Sequence, residues 1–167
     1  MNPMREIGIE KLTLNIGCGD DKDKIQRASK LLSMLTNRKP LVTLSKRRST
    51  FGVAKGKPLG AMVTLRGKDA EEFLKKVLQA KDNKIRPSQF DKDGNFNIGI
   101  KEYIDLPSVK YSHEVGMLGM DVAVSLKRSG YRIKNRRIHQ TKIPKKHKIN
   151  REEAIEWIKK TYNAEVE

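Results

Sequence analysis

The chain has 167 residues, 36 of them Lys or Arg and 20 Asp or Glu, for a formal net charge of +16; 37% of residues are apolar and 34% charged. That length suits one compact domain, and the apolar fraction is modest yet above that of a chain unable to build a core. No apolar run approaches the roughly 20 residues needed to cross a bilayer, the N-terminus lacks the apolar stretch of a signal peptide, and a single cysteine, Cys18, excludes an internal disulfide or a multi-cysteine zinc site. The expectation is a cytoplasmic protein without a membrane partner, whose polyanionic partner is nucleic acid.

From Lys11 to Gly17 the sequence alternates, with Leu12, Leu14 and Ile16 on one side and Lys11, Thr13 and Asn15 on the other, which predicts a half-buried strand. Gly17 and Gly19 end it. From Asp21, the residues Ile25, Ala28, Leu31, Leu32 and Leu35 recur at helical spacing, which predicts an amphipathic helix ending near Thr36. Pro40 opens a short strand from Leu41 to Leu44. Ala61 to Arg66 alternates again, with Ala61, Val63 and Leu65 opposed to Met62, Thr64 and Arg66, and a long loop runs from Ser45 to Gly60 between the two.

A second helix is predicted from Asp69, since Ala70, Phe73, Leu74, Val77 and Leu78 form one apolar stripe with acids early and lysines late. Phe90, then Asp93-Gly94, then Phe96, Ile98 and Ile100 predict a hairpin with a tight Asp-Gly turn. A strand from Asp121 to Lys127 buries Val122, Val124 and Leu126. A last helix starts at the N-cap Asn150, with Glu153 three residues on, and buries Ala154, Ile155 and Ile158 between Trp157 and Tyr162.

Strands joined by turns, with a few helices between, predict an α+β fold: a largely antiparallel sheet, helices on one face, and the other face open. The polar partners of each alternation, Thr13, Asn15, Met62, Thr64, Arg66, Asn95 and Asn97, would line that open face. No internal repeat divides the chain, so the reading is a single domain with a core over 8–127, a basic arm over 128–150 and a terminal helix over 150–162. Ser129 to Lys148 has too few apolar residues to pack by itself and reads as an extended arm that orders along a polyanion.

Charge is segregated along the chain. Between Asp23 and Asp69 there are twelve bases and no acid; between Asp121 and Glu152 there are eleven bases and again no acid. Repulsion within such windows destabilises the free protein, and a polyanion would neutralise them.

No motif carries bond-making chemistry. Gly52 to Pro58 is one residue short of a phosphate-binding P-loop and has Pro58 where the magnesium-binding hydroxyl belongs, so only a backbone phosphate contact remains. Asp91-Lys-Asp93-Gly94 lacks the spacing and closing Glu of a calcium loop. Gly17-Cys18-Gly19 lacks the third glycine of a dinucleotide fingerprint. His113, His139 and His147 share no metal-ligand spacing. Asp20, Asp21 and Asp23 read as helix N-terminal acids. No catalytic residue, metal, cofactor or small-molecule substrate is expected.

Three segments together resemble a known family: Lys11-Leu-Thr-Leu-Asn-Ile-Gly-Cys-Gly19, Thr36-Asn-Arg-Lys-Pro40 running on to Val42-Thr43, and Lys57-Pro-Leu-Gly60 followed by Val63-Thr-Leu-Arg-Gly67. They resemble the ribosomal protein family, fifth in the large-subunit series, that binds 5S rRNA. Asp93-Gly-Asn-Phe-Asn-Ile-Gly-Ile100 and Gly119-Met-Asp-Val122 follow in the family's order, so the likeness spans about residues 8 to 127. The start close to the first strand and the basic C-terminal arm are similar to the archaeal and eukaryotic branch.

The resemblance implies a structural RNA-binding role, without enzymatic activity, in the large ribosomal subunit. Its 5S rRNA surface would include Asn15 and Thr64, with Thr13, Met62 and Arg66 beside them and Asn37, Arg38 and Lys39 before Pro40. Arg38 stands where the family often has Gln, so a phosphate contact replaces an amide contact there. A loop reaching P-site tRNA would comprise Lys46, Arg47, Arg48, Phe51, Gly52, Lys55, Gly56 and Lys57, with Gly52, Gly56 and Gly60 admitting close backbone approach. Large-subunit rRNA would meet the arm through Lys127, Arg128, Arg132, Lys134, Arg136, Arg137, Lys142, Lys145, Lys146 and Lys148. Neighbouring ribosomal proteins, including a small-subunit head protein across the interface, complete the implied partners. The competing readings are an RNA-modifying or RNA-cleaving enzyme and a non-ribosomal nucleic-acid-binding module.

Overall fold

A computed structural model describes residues 2–48, 50, 52–107 and 109–166. In chain order the strands are β1 (Ile7–Gly17), β2 (Leu41–Leu44), β3 (Pro58–Leu65), β4 (Lys84–Ile85), β5 (Phe96–Ile100), β6 (Met120–Arg128) and β7 (Glu165–Val166). The helices are α1 (Lys22–Thr36), α2 (Lys68–Gln79) and α3 (Arg151–Tyr162). The described residues form an α+β fold with a five-stranded antiparallel sheet of strand order β2-β3-β1-β6-β5. A separate parallel pair of two-residue strands, β4 with β7, is not expected from the sequence.

The chain clusters into two compact units. One comprises Thr13–Leu65 and Gly99–Ala123. Its core includes Leu14 and Ile16 of β1, Ala61, Val63 and Leu65 of β3, and Ile25, Ala28, Leu31 and Leu32 of α1. α1 packs on β3 and β2. Its N-cap Asp21 accepts hydrogen bonds from the N–H groups of Asp23 and Lys24 at 3.0 and 3.2 Å, and it ends where Asn37 turns into the left-handed region at φ 51. Tyr103, 1% exposed, closes the loop before β6, its hydroxyl accepting from the Ser112 N–H at 3.0 Å.

β2 and β3 are antiparallel, with Leu41 opposite Met62, Val42 opposite Ala61 and Thr43 opposite Gly60. A register shift follows between Thr43 and Leu44. β3 begins at Pro58, so the loop expected to reach Gly60 ends three residues sooner. Gly60 is buried within the strand, where a Cβ would lie 2.3 Å from the Ile16 carbonyl oxygen. It serves close approach of β3 to β1, not of a loop backbone to RNA.

The other unit comprises the chain through Leu12, Arg66–Ile98 and the chain from Val124 onward. α2 begins at Lys68, one residue before the expected start, and buries the stripe Ala70, Phe73, Leu74, Val77 and Leu78. α3 carries the expected capping box of Asn150 and Glu153. It buries Ala154 and Ile158, while Ile155 is half-buried, and the Trp157 and Tyr162 rings meet edge-on at 5.6 Å. The expected hairpin is reduced to a single bridge, Phe90 with Phe96, around a turn in which the Gly94 N–H donates to the Asp91 carbonyl at 3.1 Å. Before Phe90 the chain forms a 3-10 turn, Pro87–Gln89, instead of a strand.

The segment 129–148 also departs from expectation. It is fastened to its own unit through 3-10 turns at Tyr131–Lys134 and Lys145–His147. The buried Tyr131 donates from its hydroxyl to the His147 carbonyl at 3.2 Å and accepts from the Ile149 N–H at 3.0 Å. The Tyr131 hydroxyl, satisfying the His147 carbonyl and the Ile149 N–H, and the buried Ile149 side chain anchor a segment too polar to form a core of its own.

Candidate nucleic-acid interface

Alternation fixes one face of β1 and β3. Leu12, Leu14 and Ile16, and Ala61, Val63 and Leu65, point into the core; Thr13, Asn15, Met62 and Thr64 point the other way. Asn15 is exposed and the other three are half-buried. Register adds a residue that a strand-by-strand reading misses: Leu41, opposite Met62, shares this face and is 62% exposed. These five side chains are one amide, two hydroxyls and two apolar groups, and Lys11, which continues the outward alternation of β1, is exposed and adds a cation. Just before β2, Asn37, Arg38 and Lys39 are exposed, and the Arg38 N–H donates to the Thr36 hydroxyl at 3.3 Å.

Arg66 is exposed and follows the inward-facing Leu65. β3 ends at Leu65, and Arg66 lines a cleft of about 550 Å³ with Glu6, Glu10, Lys127 and Arg132. Asn97 is exposed, but Asn95 is used internally, its side-chain oxygen accepting from the Leu126 N–H at 3.2 Å.

The loop between β2 and β3 is closed at its base. The Ser45 N–H donates to the Lys57 carbonyl at 2.8 Å, and the Gly56 N–H donates to the Ser45 carbonyl at 2.9 Å. Gly52 and Gly56 sit at φ 81 and 85, where a side chain would be strained. Lys46, Arg47, Arg48 and Lys55 are exposed. Lys57 pairs with Asp20 at 2.7 Å and serves the base of the loop. Phe51 lies outside the described residues.

The basic segment divides into committed and uncommitted cations. Arg128 is corrected outright: it is 4% exposed and pairs with Glu153 at 2.8 Å, so it cannot meet rRNA. It follows Val122, Val124 and Leu126 in period-two register and shares their inward face. Burial raises the Glu153 carboxyl pKa, but the Asn150 N–H and the Arg128 guanidinium outweigh it and hold the group below its ordinary value. Lys134 pairs with Glu10 at 3.3 Å and lies 5.3 Å over the Tyr131 ring. Lys148 pairs with Asp93 at 3.1 Å, and the Arg136 Nε donates to the His139 carbonyl at 2.7 Å. Lys127, Arg132, Arg137, Lys142, Lys145 and Lys146 are exposed.

Among the described residues no group of three or more His, Cys, Asp or Glu converges as a metal site. Burial pushes the Cys18 thiol up, with Asp21 adding to the shift against a smaller opposing effect of Lys24, so the thiol stays protonated and weakly nucleophilic. The His147 Nε2 is 2.9 Å from the Ser129 carbonyl oxygen, a bond that ties down the basic segment. The arrangement offers hydrogen bonds, apolar contact and positive charge.

Two family models cover most of the chain: "Ribosomal protein L5" matches residues 2–53, and the model of the C-terminus of the same ribosomal protein family matches residues 58–157. The large ribosomal subunit protein uL5 of Sulfurisphaera tokodaii is 46% identical, over 99% of this chain and 95% of its own length. The protein of the same name from Methanosphaera stadtmanae is 42% identical over the whole of both chains, and that from Methanobrevibacter smithii 42% over 98% of this chain and 96% of its own. With both halves matched and identity above 40% along almost the full length, the chain belongs to the ribosomal protein L5 family.

Proposed function

We propose that this chain is a structural constituent of the large ribosomal subunit that docks 5S rRNA on the open face of β1 and β3. The basic loop between β2 and β3 reaches P-site tRNA, and the exposed cations of segment 127–148 meet large-subunit rRNA. Neighbouring ribosomal proteins, including one on the small-subunit head, are its protein partners. The observation that carries the reading is the uncharged group Asn15, Thr13, Thr64 and Met62, facing outward from β1 and β3 in a chain of net charge +16. Its relatives' names supply the large-subunit setting.

Two kinds of residue divide the labour. Lysines and arginines supply affinity that falls with salt, because each phosphate they neutralise releases a counterion. Asn15 and the two threonines, presented on strands, read 2′-hydroxyls and base edges of a wide minor groove or an irregular RNA loop. Arg38 and Lys39 fix the register of the RNA on that face through phosphate contacts.

Asn15→Asp places a carboxylate against RNA and removes the amide donor, so 5S rRNA affinity falls while the fold persists. Lys46, Arg47 and Arg48 changed together to Ala weaken binding of tRNA and leave 5S rRNA affinity nearly intact. Filter binding of both variants to both RNAs tests the division. Unchanged 5S rRNA affinity for Asn15→Asp would put the docking surface elsewhere, and equal loss of both RNAs in the triple variant would remove the separate tRNA loop.

A further inference from the structure

A cavity of about 510 Å³ lies in the unit that carries α3, beside the 3-10 turns of segment 129–148. Its floor is apolar, made by Leu126 of β6 with Tyr131, Ile143 and Ile149. Its rim holds four lysines and one acid. Two of the lysines are committed, Lys134 to Glu10 and Lys148 to Asp93. Lys142 and Lys145 are exposed and make no ion pair among the described residues. Asn95 also lines the cavity; its oxygen is held by the Leu126 N–H, which leaves its NH2 group as a donor for a ligand.

We infer that this cavity takes a single unstacked nucleotide of large-subunit rRNA, its base against the apolar floor and its phosphate on Lys142 and Lys145. The inference rests on the proposed ribosomal role and adds a site to it. The volume falls in the ~300–1,000 Å³ range of pockets that enclose small ligands, and an apolar floor with a few convergent polar groups is the usual construction of such a pocket. A ligand that satisfies both the floor and the free lysines carries an apolar body and an anion side by side. A nucleotide joins the two covalently, whereas an acidic peptide carries its charge on side chains with no apolar body of their own. The acid-free window around the cavity, eleven bases between Asp121 and Glu152, matches a phosphate backbone running past it. Proteins that recognise single-stranded RNA splay bases out of the stack, and Asn95 is placed to read the edge of a base so held.

The full-length chain, isotope-labelled in Ile and Leu methyl groups, is titrated with single-stranded RNA pentamers of A and of U, an RNA duplex of the same length, inorganic phosphate and a glutamate-rich peptide. The pentamers should shift the methyls of Leu126, Ile143 and Ile149 saturably, and the duplex, phosphate and peptide should not. Lys142 and Lys145 changed together to Ala should lower the salt slope of pentamer binding by about 0.7, from one lost phosphate contact to a single strand. Ile143→Trp, which fills the cavity, should abolish the methyl shifts while 5S rRNA affinity stays unchanged. Methyl shifts of equal size with phosphate would reduce the cavity to a general anion site, and equal shifts with the peptide would make it a protein-docking site; either overturns the inference. So does silence of the methyls with pentamer while 5S rRNA still binds the same sample. Failure of the wild-type chain to bind 5S rRNA would instead overturn the role on which the inference rests.

Discussion

Arg128 and Glu153 form an ion pair whose two ends differ in access to water, so its halves respond unequally to mutation. The guanidinium side is 4% exposed, the carboxylate side 40%, and the groups are 2.8 Å apart. Glu153→Gln keeps an amide oxygen to accept from the Asn150 N–H but removes the charge opposing Arg128. The buried cation is left with two carbonyl contacts, 3.4 and 3.5 Å from His147 and Lys148. Breaking a fully buried pair costs about 3–5 kcal/mol; because water reaches Glu153, we expect about 2–3 kcal/mol here. Arg128→Met keeps most of the apolar stem, frees Glu153 to hydrate, and removes a buried Nε that has no acceptor among the described residues. An unsatisfied buried donor costs about 1–3 kcal/mol, which offsets much of the lost pair and leaves a net loss of about 0–1 kcal/mol.

Urea unfolding at neutral pH, with the slopes compared to check that the unfolded states match, measures the difference. The same Arg128→Met protein should bind RNA with an unchanged salt dependence, because Arg128 meets no phosphate. Equal losses of stability, or a larger loss for Arg128→Met, would refute the burial argument. A reduced salt slope would restore Arg128 to the RNA-facing set.

The Glu153 carboxyl is held below its ordinary value of 4.5 in the folded chain, so its contribution is full above that pH and is lost as pH falls through the folded value. The penalty of Glu153→Gln should therefore be constant near neutrality and shrink in acid melts; a penalty independent of pH down to strongly acid conditions would contradict the pairing. Gly60→Ala would put a methyl 2.3 Å from the Ile16 carbonyl oxygen, a backbone atom that cannot rotate away. The strands must part, and about 1–3 kcal/mol of stability should be lost in urea melts, with 5S rRNA affinity falling because Thr64 and Asn15 lose their spacing. A neutral Gly60→Ala would show that β1 and β3 lie further apart than this contact requires.

The elements legible from sequence are those with long, regular periodicity. The stripe of α2 and the alternations Leu12-Leu14-Ile16 and Ala61-Val63-Leu65 point inward as expected, because a sheet or helix with one buried face writes that face into its sequence at fixed spacing. What escapes has local causes. β1 begins at Ile7, but Ile9 and Leu12 are both buried, so the alternation slips between them and a period-two count stops at Lys11. β4 and β7 are two residues long and exist through pairing with each other, which no local pattern encodes. β2 is legible from its β-branched and leucine content, yet Leu41, Val42 and Leu44 are all exposed, as befits a sheet edge.

The surface readings fail where charge is taken for exposure. Arg128 sits in an acid-free run, but one more step along Val122, Val124 and Leu126 predicts it inward, and periodicity outweighs residue type. Segment 129–148 looks unable to pack when apolar residues are counted, whereas Tyr131 anchors it by hydrogen bonds at both lone pair and proton. The cavity floored by Leu126 and Ile149 is assembled from residues 23 positions apart in sequence and is invisible to any local window.

A specific docking surface on a generally basic protein should favour 5S rRNA over other RNA of the same size. Titration of the purified chain against 5S rRNA and against a generic RNA hairpin of similar length, at rising salt, measures that preference. Both affinities should fall as counterion release weakens, while a preference for 5S rRNA persists. Equal affinities that collapse together would leave a basic RNA binder without a docking face and contradict the assignment of Asn15 and Thr64.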